Sequence, residues 1–227
     1  MTPSNTNDIY TLLQKALLFG VLIGIALVLF GWILIPATNL LSVGAACLIL
    51  GVYGLVVYLG FPKIRPEILR WAGMFGLIAG VIFVGEILLE YIVLPKDNTT
   101  WGLIEFGSVF LVYFLSSLWV SYRTVRVRSG ILTAILSAML SALIWLITIL
   151  IMFYVFQGTD RQAQVFRAEG TYEDFARSGM ADFNPFVMED LLGGGFFHLI
   201  LGPILAAILG SIGGLLGRGI ANIRPPC

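Results

Sequence analysis

Long apolar stretches dominate the pattern of hydrophobic and polar positions along this chain. Six of them are long enough to cross a bilayer core of about 30 Å as a helix, which takes roughly 20 residues. They run from Leu17 to Ile35, Leu40 to Gly60, Trp71 to Leu94, Trp101 to Tyr122, Ile131 to Phe156 and Leu191 to Gly217. Apolar and polar residues do not alternate within them, as the strands of a membrane barrel require. The pattern predicts an all-α, polytopic integral membrane protein with six transmembrane helices in one bundle over residues 1–227.

Composition supports this prediction and excludes several classes of protein. Hydrophobic residues make up 59% of the 227 positions and charged residues 11%, whereas soluble domains average about 45–50% and about 25%. The 13 basic and 13 acidic side chains cancel, so the basic excess typical of nucleic-acid-binding proteins is missing. We therefore exclude a water-soluble enzyme, a disordered chain and a nucleic-acid partner, and expect the lipid bilayer to surround the chain.

Lysine and arginine predict the orientation, because they are enriched in cytoplasmic loops. Nine basic residues fall on the side that holds both predicted termini: Lys15, Lys63, Arg65, Arg70, Arg123, Arg126, Arg128, Arg218 and Arg224. The opposite side has Lys96, Arg161, Arg167 and Arg177. We expect both termini to be cytoplasmic in a plasma (inner) membrane. Residues 1–15 then form a cytoplasmic tail before an uncleaved anchor, because the polar start lacks the positive charge of a signal peptide.

The stretch 157–190 is the one long loop, and it carries seven acidic and three basic residues. We expect it to be external and helical in pieces. Thr171, followed by two acids, is typical of a helix start, and Asn184-Pro185 repeats the signal with Asn184 as cap. The loop covers the helix ends or, alternatively, forms a lid or docking surface. We expect Gly193–Gly195 to break or bend the chain and Pro203 to kink the sixth helix.

Small residues at four-residue spacing predict close helix packing. They are Gly20 and Gly24 in helix one, Gly76 and Gly80 in helix three, Thr133, Ser137 and Ser141 in helix five, and Gly202, Ala206, Gly210 and Gly214 in helix six. We expect these faces to pack within the chain. The alternative is contact with a membrane-protein partner or a second copy through the same glycine-rich faces.

Four ionisable side chains lie inside predicted spans: Glu86, Glu90, Glu105 and His198. At about 1.5 Å per residue they lie roughly 6–12 Å from the outer ends of their helices. Such residues face protein or water rather than lipid, and Glu86 and Glu90 share a helix face with small residues. We predict a site for a proton, a cation or a substrate. A metal site formed by His198, Glu86 and Glu105 and a structural hydrogen-bond cluster are the alternatives.

Motifs of catalysis are missing from the sequence. It contains no HExxH, GxSxG, phosphate-binding loop or CxxC, which mark metalloproteases, hydrolases, nucleotide-binding proteins and redox proteins. Cys47 lies inside helix two and Cys227 ends the chain, so we expect no internal disulfide. Asn98-Thr99-Thr100 is a glycosylation sequon on the predicted outer side. We expect no enzyme activity and no cofactor.

Two functions remain open from the sequence. We expect the first, a non-enzymatic accessory or structural membrane subunit that stabilises a larger assembly. The second is a small-molecule or ion transporter, proton-coupled or not, or its substrate-binding subunit, which uses the Glu/His residues. In helix count, size and the pair Gly20/Gly24 the chain resembles the substrate-binding subunits of energy-coupling vitamin transporters. No motif diagnostic of those subunits accompanies the resemblance, so the sequence predicts no family.

Overall fold

The computed structural model describes residues 4–93 and 98–223, with side chains from 12 to 93 and from 100 to 223. Every regular element in these ranges is helical: α1 Ser4–Leu34, α2 Leu40–Gly60, a 3₁₀ turn Phe61–Lys63, α3 Pro66–Leu88, α4 Asn98–Thr124, α5 Val127–Phe156, α6 Asp160–Ala168, α7 Thr171–Ser178, α8 Phe183–Phe196 and α9 Gly202–Ile223. Six helical stretches are long and apolar enough to cross a membrane. This confirms an all-helical architecture with six helices long and apolar enough to span a membrane.

Some predictions fall on residues that the structure does not describe. They concern the beginning of the tail, Lys96, the side chains of the sequon residues Asn98 and Thr99, Arg224 and Cys227.

Helix α5 lies at the centre of the bundle. In its most apolar stretch 67% of the residues are buried, against 28–39% for the other five spans. It packs against α1, α3, α4 and α9, while α2 lies outside and contacts α1 and α8. From Ser129 to Phe156, helix α5 carries no charge, and a helix that is apolar all round belongs in such a central position.

Glycines allow the outer helices to approach α5 and one another closely. A Cβ atom added at Gly76 of α3 would lie 2.9 Å from the Ser137 carbonyl oxygen, and one at Gly20 of α1 would lie 2.9 Å from Leu143. On α9, an added Cβ at Gly213 would lie 2.5 Å from the Phe114 carbonyl oxygen of α4. These contacts confirm the prediction of packing within the chain. Gly202 differs, because an added Cβ there meets no atom within 4 Å.

The sixth span is interrupted by a π-helical segment, Phe197–Leu201, which joins α8 to α9. The prediction that Gly193–Gly195 break the chain is wrong, because all three lie inside α8. The irregularity comes two residues later, before Pro203. Proline has no N–H to donate to the carbonyl four residues earlier, which is that of Leu199. The Tyr53 hydroxyl of α2 donates to this oxygen instead, at 2.5 Å.

The loop between α5 and α8 folds into α6 and α7, as the prediction of a helical loop requires. Thr171 is the first helical residue rather than the cap, because Gly170 takes the preceding position with φ 77°, a conformation that glycine adopts without strain. Helix α8 begins at Phe183 with Asp182 as its cap, rather than at Pro185 with Asn184 as its cap, because Asp182 is the last residue with extended backbone. Stacked rings, such as Tyr172 on Phe183 at 4.7 Å, hold the loop helices on α8.

We call the end of the bundle that carries α6 and α7 the loop end. A second link joins it to the membrane helices, because the backbone N–H of Asn39, before α2, donates to Glu189 Oε1 of α8 at 3.0 Å. A carboxylate at a helix N-terminus interacts favourably with the helix dipole. Helix α6 is itself bonded to the bundle, because Arg161 Nε donates to the Tyr91 carbonyl oxygen and Gln162 Nε2 to the Phe153 carbonyl oxygen.

Candidate functional site

A cavity of about 200 Å³ lies between α3 and α4 and brings the three predicted glutamates together. We call it the α3–α4 cavity. It is lined by Val81, Ile82, Gly85, Glu86, Leu89, Glu90, Trp101, Gly102, Ile104, Glu105 and Ser108. Its walls are mostly apolar, and the carboxyl groups are the charged groups among the lining residues.

Local helix geometry places Glu86, near the end of α3, and Glu90, in the segment that follows it. Glu86 and Glu90 follow buried Phe83 by three and seven residues, on the face that turns from the core toward α4. Both glutamates are half-buried. Glu90 lies in a second π-helical segment, Leu89–Val93. Such segments are rare and occur frequently at functional sites, and hydropathy does not reveal them.

Glu105 of α4 is the most deeply placed of the three. Its side chain is 6% exposed and lies beside that of Glu86. Both of its carboxylate oxygens are buried, and neither accepts a hydrogen bond from the described residues. Ser108 lines the same cavity, but its hydroxyl donates to the Ile104 carbonyl oxygen at 2.7 Å. Two buried carboxylates side by side repel each other, so Glu105 and Glu86 require a shared proton or a bound cation.

Within residues 12–93 and 100–223, no basic side chain forms an ion pair with these glutamates. The one ion pair in these ranges joins Arg177 and Asp174 on the surface of α7. Arg161 of α6 comes near the loop end of α3, where its Nε donates to the Tyr91 carbonyl oxygen at 2.5 Å. Its Nη2 is buried and has no partner among the described groups. The acidic site is therefore not neutralised by the described part of the chain.

The structure adds Glu169, which the sequence analysis did not single out. This residue follows α6, and its carboxyl group interacts with that of Glu90. Loss of hydration, followed by repulsion from Glu86 and Asp190, raises the pKa of Glu169 to about 7, although its hydrogen bond with Glu90 acts in the opposite direction. No sequence signal marks Glu169, because only the folding of α6 and α7 brings it to α3.

His198 lies outside the α3–α4 cavity, in the π-helical segment before α9. Its ring stacks on Trp145 at 4.0 Å and meets the rings of Phe83 and Phe106 at 5.0 and 5.9 Å. It lines a separate space of about 10 Å³. Aromatic packing also accounts for Trp145, which the sequence placed in mid-span. Among the described residues, no three His, Cys, Asp or Glu side chains are grouped to hold a metal ion, so the structure does not support the metal alternative.

No protein-family model, curated protein sequence or solved structure matches this chain. The resemblance to vitamin-transporter subunits therefore stays one of helix count and size. The function has to be argued from the chain's own residues.

Proposed function

We propose that this protein binds a small positively charged species, a proton or a cation, at Glu86, Glu90 and Glu105, as a transporter or as its substrate-binding subunit. The observation that supports the proposal is the Glu105 carboxyl group in the wall of a cavity, whose two buried oxygens have the Glu86 carboxyl group beside them and no other partner among the described residues. Binding requires no enzyme chemistry and no resident cofactor.

The alternative of a structural hydrogen-bond cluster fits this geometry less well. Acids buried for structural reasons are normally paired or hydrogen-bonded. Here the neighbours are two carboxyl groups, Glu86 and Glu105, which can hydrogen-bond to each other only by sharing a proton, and no other described donor reaches the Glu105 oxygens. Intramembrane acids commonly mark proton relays and substrate paths, and the carboxyl groups of Glu169 and Glu90 extend this site toward the loop end.

The site's orientation is part of the proposal. The charge distribution favours a plasma membrane with both termini in the cytoplasm. The loop end would then face outward, and the α3–α4 cavity would lie in the outer half of the membrane.

Proteoliposome flux measurements test this function. We expect purified wild-type protein to carry protons, followed with a trapped pH dye, or radioactive sodium, above the rate of protein-free liposomes. Glu105→Gln and Glu86→Gln should reduce the flux at least about tenfold, because each removes a buried charge that faces the bound species. Glu67→Gln is the matched control, since Glu67 is exposed in the first turn of α3. Equal flux in the wild type and Glu105→Gln would contradict the proposal.

A second candidate, the accessory or structural subunit, is favoured by the outer face of α2. Gly44 and Gly51 are exposed there, seven residues apart, with no atom within 4 Å of an added Cβ, and Leu48 between them is 69% exposed. Small residues of this kind allow another membrane helix to approach closely.

Native mass spectrometry of the detergent-extracted protein tests the second candidate. If the protein is an accessory subunit, the spectrum of the wild type should show a stoichiometric complex with a partner or a second copy. The Gly51→Leu variant should lose this complex. A wild-type monomer whose cation flux disappears on Glu86→Gln would overturn the second candidate.

A further inference from the structure

Part of the wall of the α3–α4 cavity lies on the outer flank of the bundle. All of its lining residues belong to α3, its π-helical extension and α4. Among them Val81 is 70% exposed, and Trp101 and Ile104 are also exposed. Exposed apolar side chains on spanning helices contact lipid chains. A ligand in this cavity would therefore lie against apolar side chains that also contact lipid, which favours a ligand with an apolar part.

Two glycines keep the cavity open. A Cβ atom added at Gly85 of α3 or at Gly102 of α4 would meet no atom within 4 Å. The volume of about 200 Å³ is below the roughly 300–1,000 Å³ of pockets for drug-sized ligands. The space thus fits a small organic molecule.

The donor set favours an organic cation over a metal ion. Calcium takes six to eight oxygen ligands, and magnesium needs octahedral geometry, whereas no metal-binding group of three acidic, His or Cys side chains occurs among the described residues. An ammonium group carries up to three N–H donors on one positive charge. It can donate to Glu105 and Glu86 together, and the Trp101 ring can cover its apolar part or the cation itself. A bound proton would make no contact with the apolar wall of the cavity, whereas the apolar part of an amine would.

We propose that the α3–α4 cavity binds a small amphipathic amine in its ammonium form, with the N–H groups on Glu105 and Glu86 and the apolar part toward the lipid. This inference rests on the proposed cation-binding function and names the class of ligand.

Equilibrium binding of radiolabelled phenethylamine to the full chain in lipid nanodiscs tests the inference. This amine carries one ring and one positive charge at neutral pH. We expect saturable binding after subtraction of empty nanodiscs. Affinity should fall at least about tenfold in Glu105→Gln, which removes the charge, and by a similar factor in Gly102→Leu, which fills the cavity.

The control for the shape of the cavity is Gly107→Leu. Gly107 is also on α4 and open at its Cβ, but it does not line the cavity, so this variant should bind phenethylamine as the wild type does. The neutral analogue 2-phenylethanol should not compete. Gly85→Leu replaces Gly102→Leu if the latter is not monodisperse on size-exclusion chromatography.

The outcomes separate the two proposals. Any one of three results would overturn the amine site. They are no saturable binding by the wild type, wild-type affinity in both glycine-filled variants, and competition by 2-phenylethanol. If proton or sodium flux depends on Glu105 while phenethylamine does not bind, only the ligand class is wrong. If neither proton, sodium nor phenethylamine shows a dependence on Glu105, the proposed function fails as well.

Discussion

One carbonyl oxygen explains how the sixth span tolerates a proline in the membrane. Pro203 cannot supply the N–H that Leu199 would receive in an α-helix, and inside a bilayer no water replaces it. The Tyr53 hydroxyl, which is buried, makes the missing bond at 2.5 Å. A residue of the peripheral helix α2 thereby stabilises the backbone of the sixth span.

Removal of that hydroxyl should destabilise the protein. We expect Tyr53→Phe to cost about 1–3 kcal/mol, the penalty for a buried acceptor left unsatisfied, and to lower the melting temperature in detergent. Tyr58→Phe is the control, because Tyr58 is exposed on the same helix. In a Pro203→Ala background the penalty should shrink, since alanine restores the N–H. An equal penalty in both backgrounds would show that the Tyr53 hydroxyl does not replace the proline's missing donor.

At the scale of residues, counting along each helix predicted how deep an ionisable side chain lies in its span. It did not predict which of these side chains face the same cavity. The common depth of Glu86, Glu90, Glu105 and His198 follows from counting residues, and the glutamates do line one cavity. His198 does not, because the rings of Phe83 and Phe106 pack against it at the adjacent level. The sequence also could not predict that the Glu105 oxygens accept no hydrogen bond from the described residues. That depends on whether the side chains packed around them carry donor groups.

At the scale of elements, the glycine-rich face of α9 fixes its distance from α4. Close approach leaves no room for a methyl group where the facing atom is backbone, because backbone cannot rotate away as a side chain can. This distinguishes the buried glycines of α9 from Gly219, which is exposed near its end.

Gly213→Ala should therefore destabilise the bundle, by about 1–3 kcal/mol as overpacked cores do, because the new Cβ would lie 2.5 Å from the Phe114 carbonyl oxygen. Gly219→Ala is the matched control in the same helix, where an added Cβ meets no atom within 4 Å. Alanine is the better helix former by up to about 1 kcal/mol, so the control should not lose stability. The readout is the thermal unfolding midpoint in detergent, and equal midpoints for the two variants would rule out the close α4–α9 contact.

Docking of the loop helices should depend on pH through Glu169. Its pKa rises from 4.5 in the unfolded chain to about 7 in the fold, so the fold binds the proton more tightly. The resulting stabilisation is fully present below about pH 4.5 and is lost as the pH rises through about 7. The Glu169 carboxyl group lies against other acids, but more than a third of the residue is exposed to solvent, so solvent screening keeps the effect modest.

The measurement compares melting temperatures in detergent at about pH 5 and about pH 8. We expect a larger fall with pH in the wild type than in Glu169→Gln. Glu173→Gln, an exposed acid of the same loop, should behave as the wild type does. A Glu169→Gln protein with an unchanged pH dependence would contradict this assignment.

The elements themselves were predictable to different degrees. The six spans follow from apolar length, because any spanning helix must satisfy its backbone internally. The π-helical segments Leu89–Val93 and Phe197–Leu201 were not predictable. Composition does not determine whether a backbone N–H donates to the carbonyl four residues earlier, as in an α-helix, or five residues earlier, as in a π-helix. The predicted starts of two helices were displaced. The cap of α7 is Gly170 instead of Thr171, and the cap of α8 is Asp182 instead of Asn184, because local backbone conformation decides where each helix begins.

For the whole molecule, orientation is the property that the charge distribution predicts most directly. In a variant without Cys47 and Cys227, we expect Gln164→Cys on α6 to react with a membrane-impermeant maleimide in intact cells or spheroplasts. Arg65→Cys, before α3, should react only after permeabilisation, because its basic segment is predicted to be cytoplasmic. Both positions are exposed. The reverse labelling pattern would place the α3–α4 cavity in the cytoplasmic leaflet.

The π-helical segment in the sixth span also determines how α9 is rotated about its axis relative to α8. The helical stretch Phe183–Ile223 is 41 residues long, about 60 Å at 1.5 Å per residue, so it extends well beyond one bilayer core. Deleting one residue within 197–201 would turn α9 by about 100° relative to α8. Its glycine face would then leave α4 while α8 kept its place beside α2. Insertions and deletions in this segment should therefore be selected against even where single substitutions are tolerated.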